Sequence, residues 1–428
     1  MKEIELKGLD QNVFYKKLKN GLEVYMIPYE NKTNYAMHYI TKYGSNITEF
    51  IPLGKKDKIK IPEGTAHFLE HKMYEQEDGI DPFTFAAKTG TSSNASTSYK
   101  TTRYFFEGNS GFDENLDFLL KFIHSPYFTD ENVEKEKGII SEEIRQYDDE
   151  IDWVLDEELR KSIFQKDNTR NDIGGTVESI QKITKETLYD TYNTFYQPSN
   201  MILVISGSFD KERALDIIEN HEILNKVESN QEIIFDIPKE PLEVKTKIKK
   251  IEFNVVNKKV GHSIKIPLNK VKDKLLFNLY LGMMNNIVFG LSSKFRETMK
   301  NQKLMTSFYM EREIYGDYLI LTYVADSEQP EKLIEELNKR FESFEIEEQE
   351  IERLKKVWIS SEVVMVDNIS MTLDNLVYDI ITYGNIVPNK VDVLRSLNKK
   401  DLDKILKSID FTNSSTVYVY PKKESHND

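Results

Sequence analysis

The chain has 428 residues, 39% hydrophobic and 11% aromatic, enough for two domains of ordinary size with real cores. Its 72 acidic and 58 basic side chains leave a net charge of -14, which argues against a general nucleic-acid binder. Cysteine is absent, so disulfides, thiolate metal sites and cysteine nucleophiles are excluded.

The first segment, residues 1–21, has no apolar core of the signal-peptide kind. No run approaches the roughly 18 consecutive apolar residues of a membrane helix. A cytoplasmic chain without a membrane span is therefore expected. Gly21 to Pro28 alternates Leu22, Val24 and Met26, and Tyr35 to Tyr43 is rich in aromatics; both read as strands. A short helix is predicted after Pro62 and Gly64, and it carries His67-Phe68-Leu69-Glu70-His71. Two strand-like runs follow, Ser93 to Tyr99 and Arg103 to Glu107. Leu116, Leu119, Leu120 and Ile123 then recur at helical spacing. Asp130 reads as the N-cap of a long helix through Glu143 and beyond. A helix near Lys185 to Tyr196 leads into the apolar strand Met201 to Ser206.

The second half repeats much of this order. A helical block from about Val271 to Met299 precedes two strands, near Thr306 to Glu313 and Asp317 to Ala325. Leu333, Leu337 and Phe341 mark one helix, and Ile351, Leu354, Val357 and Trp358 a longer one. A helix near Asp401 to Ile409 leads into the closing strand Thr416 to Tyr420. The likeness of the two halves reads as one long internal repeat. The polar stretch 226–247 is the expected linker between domains 1–225 and 248–428. Each half is expected to be α+β, an antiparallel sheet with helices on one face.

The strongest chemical signal is the HFLEH pentad. On a helix, residues i and i+4 stand on one face, so both imidazoles can point at one ion. Zinc accepts neutral histidine nitrogens. Glu70, three residues after His67, lies on the same side and can take a proton from a water at the metal's open position. The order is that of the inverted zinc-peptidase motif. The plainer alternative is a polar cluster without metal. The other histidines (His38, His124, His221, His262 and His426) read as structural or solvated. A catalytic zinc site needs a third protein ligand, and a carboxylate from the helix after Asp130 is the natural candidate. Glu136 and Glu143 share one side of it, with Ile139 and Ile140 expected to anchor that side in the core. Geometry alone leaves Glu142 and Glu143 both open.

HFLEH followed by EKEKGIISEEIRQYDDE resembles the pitrilysin and insulysin family of zinc peptidases, most closely its short bacterial members similar to mitochondrial processing peptidase. NGLEVYMIP, YGSNITEF, PEGTAHFLEH, SSNASTSYKTTRYFF and FYQPSNMILVISG fall in the family's order. The resemblance implies Zn2+ held by His67, His71 and Glu143, with Glu70 as the base and Glu136 as the supporting carboxylate. It implies two similar α+β domains, with subunits paired around a chamber that admits extended peptides. It implies that substrate adds as a strand on the edge Asn94-Ala95-Ser96-Thr97, with Asn94, Ala95 and Ser96 as the substrate-binding residues. One departure stands out. Active members often carry an arginine and, seven residues on, a tyrosine that grip the peptide. Here Arg296 is followed at that spacing by Lys303, and Tyr309 is too far along. The expectation is a zinc endopeptidase, one use of which is processing a leader or precursor peptide. A homologous second subunit would supply the arginine and tyrosine in a heterodimer; a homodimer is the other arrangement. The alternative function is a subunit inactive alone, or a peptide-binding scaffold.

Overall fold

The computed structural model describes residues 1–227 and 231–422, so His426 and part of the 226–247 stretch lie outside the described residues. In chain order the strands are β1 Lys2–Leu6, β2 Gln11–Lys17, β3 Glu23–Pro28, β4 Tyr35–Thr41, β5 Glu49–Phe50, β6 Ile59–Lys60, β7 Ser92–Thr97, β8 Thr102–Gly108, β9 Met201–Gly207, β10 Phe235–Asp236, β11 Ile248–Phe253, β12 Lys259–Pro267, β13 Ser307–Tyr315, β14 Tyr318–Asp326 and β15 Ser414–Pro421. The chain divides into two compact units, and neither is continuous in sequence. The first comprises Met1–Arg145, Asp172–Pro238 and Glu362–Lys390; the second comprises Gln146–Asn171, Lys239–Ser361 and the chain from Val391 onward. They differ from the contiguous division 1–225 and 248–428 by two exchanged segments.

The first unit holds a seven-stranded sheet in the order β1-β2-β3-β9-β4-β8-β7 and a small sheet β10-β5-β6. The large sheet is not the purely antiparallel one expected, because β3 and β9 run parallel. They are the first and last strands of the motif, joined by a long crossover rather than a hairpin. Nor are helices confined to one face. Val24, Met26, Met37, Tyr39, Tyr104, Phe106, Leu203 and Ile205 enter one core, while Tyr25, Ile27, Ala36, Ile40, Ile202 and Val204 enter another. The helix Ile369–Tyr383 completes that second core with Ile369, Leu373, Leu376, Val377 and Ile380, an apolar stripe at helical spacing. Burial on both faces explains why β4 and β9 are buried along their whole length.

The second unit holds a five-stranded sheet, β11-β15-β12-β14-β13. Here too the first and last strands, β11 and β15, are the parallel pair. The order matches β3-β9-β4-β8-β7 strand for strand, which is how the internal repeat is realised. The helix Ile151–Ile163 covers part of this sheet, packing Leu155 and Leu159 against Val417 and Val419. The backbone comes close: a Cβ on Gly261 would lie 2.5 Å from the Leu159 side chain. The segment Lys274–Asn301 is long and apolar enough by composition to cross a membrane, although it has no unbroken apolar run. It forms two helices, Lys274–Phe289 and Lys294–Asn301, and 61% of its most apolar window is buried within the protein. It is a core element of this unit.

Candidate metal centre

The helix Thr65–Met73 carries the pentad, and its start is built by glycines. Gly64 caps it at φ 85°, and a Cβ there would sit 2.3 Å from the Gly174 carbonyl oxygen. Gly175, at φ 76°, presses equally closely on the Glu63 carbonyl, which also accepts a hydrogen bond from Ser179 (2.8 Å). Only glycine allows this approach. It fixes the pitch of the helix, whose other face buries Phe68, Leu69 and Met73.

The helix Asp130–Asp148 supplies the facing carboxylates. Its cap is Thr129, one residue before the expected Asp130. The Thr129 hydroxyl accepts from the Asn132 amide (3.1 Å), and the Asn132 side chain accepts from the Thr129 amide (2.9 Å). Glu136, Ile140 and Glu143 share the inward side. Ile140 is fully buried, but Ile139 is 49% exposed and does not anchor it, being a third of a turn away.

The structure brings His67, His71 and Glu143 together, one ligand atom from each lying within 4.8 Å of the others. His67 Nε2 is 3.9 Å and His71 Nε2 3.6 Å from the Glu143 carboxylate. A tetrahedral ion bound at ~2.0–2.1 Å separates its ligand atoms by about 3.4 Å, so the cluster needs little adjustment to close on one. Glu142 points elsewhere, pairing with Arg145. Thus the structure resolves the choice that helical spacing left open. Burial, with the neighbouring His71 adding to it, drives the His67 imidazole down to about 3, so it is neutral at pH 7 as ligation requires. His71 Nδ1 lies 3.1 Å from Glu136 Oε1, a bond that turns Nε2 toward Glu143. Burial works to raise the Glu136 carboxyl, but the His71 bond and the Lys72 charge outweigh it and hold it below the ordinary value.

Glu70 is buried against the same helix face, and the Thr97 hydroxyl donates to its Oε2 at 2.5 Å. Burial raises the Glu70 carboxyl; the Thr97 bond and His71 pull the other way without cancelling it. Thr97 ends β7, which lies at the edge of its sheet and, among the described residues, pairs only with β8. On that strand the Ala95 amide donates to Asn94 Oδ1 (2.9 Å), and Ser96 accepts from Arg103 Nε (2.7 Å).

Three contributions were not legible in the sequence. Thr97 was expected on the substrate edge but not as the partner of Glu70, although strand alternation puts it on the same face as Ala95. Lys72, fully buried, pairs with Glu75 and lies 3.6 Å from Glu136; a lysine beside a metal motif reads as surface until its burial is known. The third is the Gly174 and Gly175 brace. The remaining described histidines are all structural and buried. His124 meets the Tyr39 hydroxyl (2.6 Å), His221 caps a helix, His262 meets Thr416 (2.8 Å), and His38 lies against Phe105. In the second unit Arg296 is buried, donating from Nε to the Phe289 carbonyl (2.7 Å) with its guanidinium 4.8 Å from the Phe308 ring centre. Tyr309 is 60% exposed on β13.

The insulinase family (peptidase family M16) model matches residues 42–177, and the M16 inactive-domain model matches residues 182–357. The Bacillus subtilis zinc protease YmfH is 38% identical over 368 residues, covering 83% of this chain and 85% of its own. The chain belongs to the M16 peptidase family. An Arabidopsis thaliana mitochondrial-processing peptidase subunit beta is 26% identical over 40% of this chain and 33% of its own. Among solved M16 relatives, a crystal structure from Alicyclobacillus acidocaldarius, described as that of an M16-like peptidase, superposes with a TM-score of 0.88 at 28% identity. It covers 97% of this chain and 99% of that one. A Helicobacter pylori protease shares the fold, with a TM-score of 0.82 at 20% identity over 96% of this chain and 99% of that one. The cluster and the Glu70 edge fall in the segment matched as M16 insulinase. Arg296, Lys303 and Tyr309 fall in that matched as inactive domain.

Proposed function

We propose that this chain is a zinc endopeptidase that hydrolyses extended peptides laid along β7. One observation carries the reading: His67, His71 and Glu143 converge beside a buried Glu70 that is tied by Thr97 to a free sheet edge. The donor set, two imidazoles and a carboxylate, suits zinc. Zinc there supplies Lewis acidity to a water nucleophile and to the scissile carbonyl. Glu70 takes the proton that the water loses on attack and returns it to the amine as the C–N bond breaks. Glu136 holds His71 in the tautomer that ligates through Nε2. Backbone pairing along Asn94, Ala95 and Ser96 holds the substrate without strong sequence preference. An incoming peptide carbonyl replaces Asn94 Oδ1 on the Ala95 amide.

The finer reading is that a homologous second subunit supplies an arginine and a tyrosine, with the paired subunits enclosing a chamber. Its support is that Arg296 is occupied by Phe289 and Phe308, that Lys303 stands at the tyrosine spacing, and that one relative is itself named a subunit. A homodimer is the other arrangement. Leader or precursor peptides are the substrates this reading favours, in the cytoplasm; cell fractionation tests the location. The second function, a scaffold inactive alone, is favoured only by the Arg296 and Lys303 departure.

The test is cleavage of a mixed peptide library, read by mass spectrometry, with zinc-quantified wild type and Glu70→Gln. Wild type is expected to cleave. The variant should keep one zinc per chain and lose activity by about 10²–10⁴-fold or more. A variant that loses zinc would make Glu70 a ligand rather than a base. Zinc without cleavage by wild type would favour the two-subunit reading.

A further inference from the structure

We infer that Thr97 is a positioning residue that aims Glu70, so that the strand on which substrate docks also sets the orientation of the base. This rests on the peptidase reading above. The Glu70 carboxylate is held from outside the two helices that carry the rest of the cluster. His71 is steadied by Glu136, and Glu136 in turn by Lys72. The Glu70 carboxylate instead reaches across to β7, where the Thr97 hydroxyl donates to Oε2 at 2.5 Å, the short distance of a charge-assisted bond. The Thr97 backbone amide also bonds this carboxylate, so Thr97 holds it at two points and the hydroxyl is the one a substitution can remove. The donor is itself stiff. A threonine in a strand has a restricted χ1, and register pairs Thr97 with Thr102 at the end of the ladder. The Thr102 hydroxyl is 3.5 Å from that of Thr97 and in turn donates to the Tyr43 carbonyl (3.1 Å), so the donor stands on a buried polar support. Two residues back, the Ala95 amide faces the Asn94 side chain at the proposed docking position. Docking and aiming are thus separated by a single strand repeat.

The experiment uses the full zinc-quantified chain with Thr97→Val, which keeps the shape and removes the donor, and Thr97→Ser, which keeps the donor. Steady-state cleavage of a peptide substrate is expected to show kcat reduced about 10–100-fold in Thr97→Val. KM should stay within about threefold, zinc content should be unchanged, and Thr97→Ser should recover most of kcat. A second readout is independent of turnover. In the metal-free chain, the infrared carboxylate band assigned to Glu70 by difference against Glu70→Gln should shift in Thr97→Val and not in Thr97→Ser. An unshifted band overturns the inference, as does a Thr97→Val kcat within twofold of wild type, or a Thr97→Ser as impaired as Thr97→Val. Zinc-loaded wild type that cleaves nothing would instead favour the two-subunit reading, and the infrared comparison still decides whether Thr97 holds Glu70.

Discussion

Among the described residues each unit of this protein contains one fully buried lysine, and the two lysines do different work. Lys265, on β12 of the second unit, meets Glu240 at 2.5 Å and the Pro241 carbonyl at 2.8 Å, with the Tyr318 ring centre 4.6 Å away. Glu240 also accepts the amides of Gln165, Lys166 and Asp167, so this pair ties three stretches of chain together. Lys72 of the first unit sits behind the metal cluster and supports Glu136. The sheets share one strand order. In the first unit the helix after β4 presents His67, Glu70 and His71. In the second the helix after β12 buries Phe277, Leu281, Met283 and Met284. The lesson is that the fold supplies positions, while the chemistry comes from side chains placed on them. A buried charge persists where it has a partner, whether the result is structure or function.

Four experiments would sharpen or break this contrast. The largest stability effect is expected from Lys265→Met, which leaves Glu240 buried without its countercharge. The cost should be about 3–5 kcal/mol in urea unfolding, nearer the lower figure because three amides still hold Glu240. Zinc content of the folded fraction should not change; a cost under ~1 kcal/mol would mean the pair is dispensable. Next, Gly64→Ala adds a Cβ at a positive φ and against the Gly174 carbonyl, and should cost more than about 2 kcal/mol and lower zinc occupancy. Gly316→Ala in the second unit also has a positive φ, but nothing lies within 4 Å of its Cβ, so about 1 kcal/mol is expected. Equal costs would show that the brace on the metal helix does not matter.

A smaller effect follows Lys72→Met, which removes the charge that, after the His71 bond, holds the Glu136 carboxyl down. Zinc affinity should fall about 10–100-fold by competition with a chelating dye, while the urea midpoint moves less than for Lys265→Met. The reverse pattern would make Lys72 the structural lysine. The smallest effect is a pH dependence common to both units. Burial pushes His124 down to about 3 and His262 to about 4, whereas unfolded imidazoles protonate near 6.5. Between these values the unfolded chain binds more protons, so stability falls as pH drops from ~6.5 toward ~4. Urea unfolding of the metal-free chain at stepwise lower pH should show this. Replacing His262 with Gln should reduce the slope by at most ~1.4 kcal/mol per pH unit. An unchanged slope would mean that other groups carry the acid sensitivity.

Much was legible in the sequence because it is local. The HFLEH spacing sets two imidazoles and a carboxylate on one helical face wherever that helix packs, and the alternation of Leu22, Val24 and Met26 marks a strand whatever its neighbours. The repeat exposed the shared architecture, and the resemblance named Glu143, which the structure then brought to the histidines. What the sequence could not decide depends on contacts between distant residues. Helical spacing left Glu142 and Glu143 equivalent until the helix was docked. The Ile369–Tyr383 stripe shows a helix with an apolar face but not which sheet it covers. That choice replaced two contiguous domains with two units that exchange segments. Lys72 looks like an ordinary surface residue in sequence, and Thr97 like one more residue of an edge strand. They gain their roles only from burial and from a hydrogen-bond partner on another element, which tertiary packing alone provides.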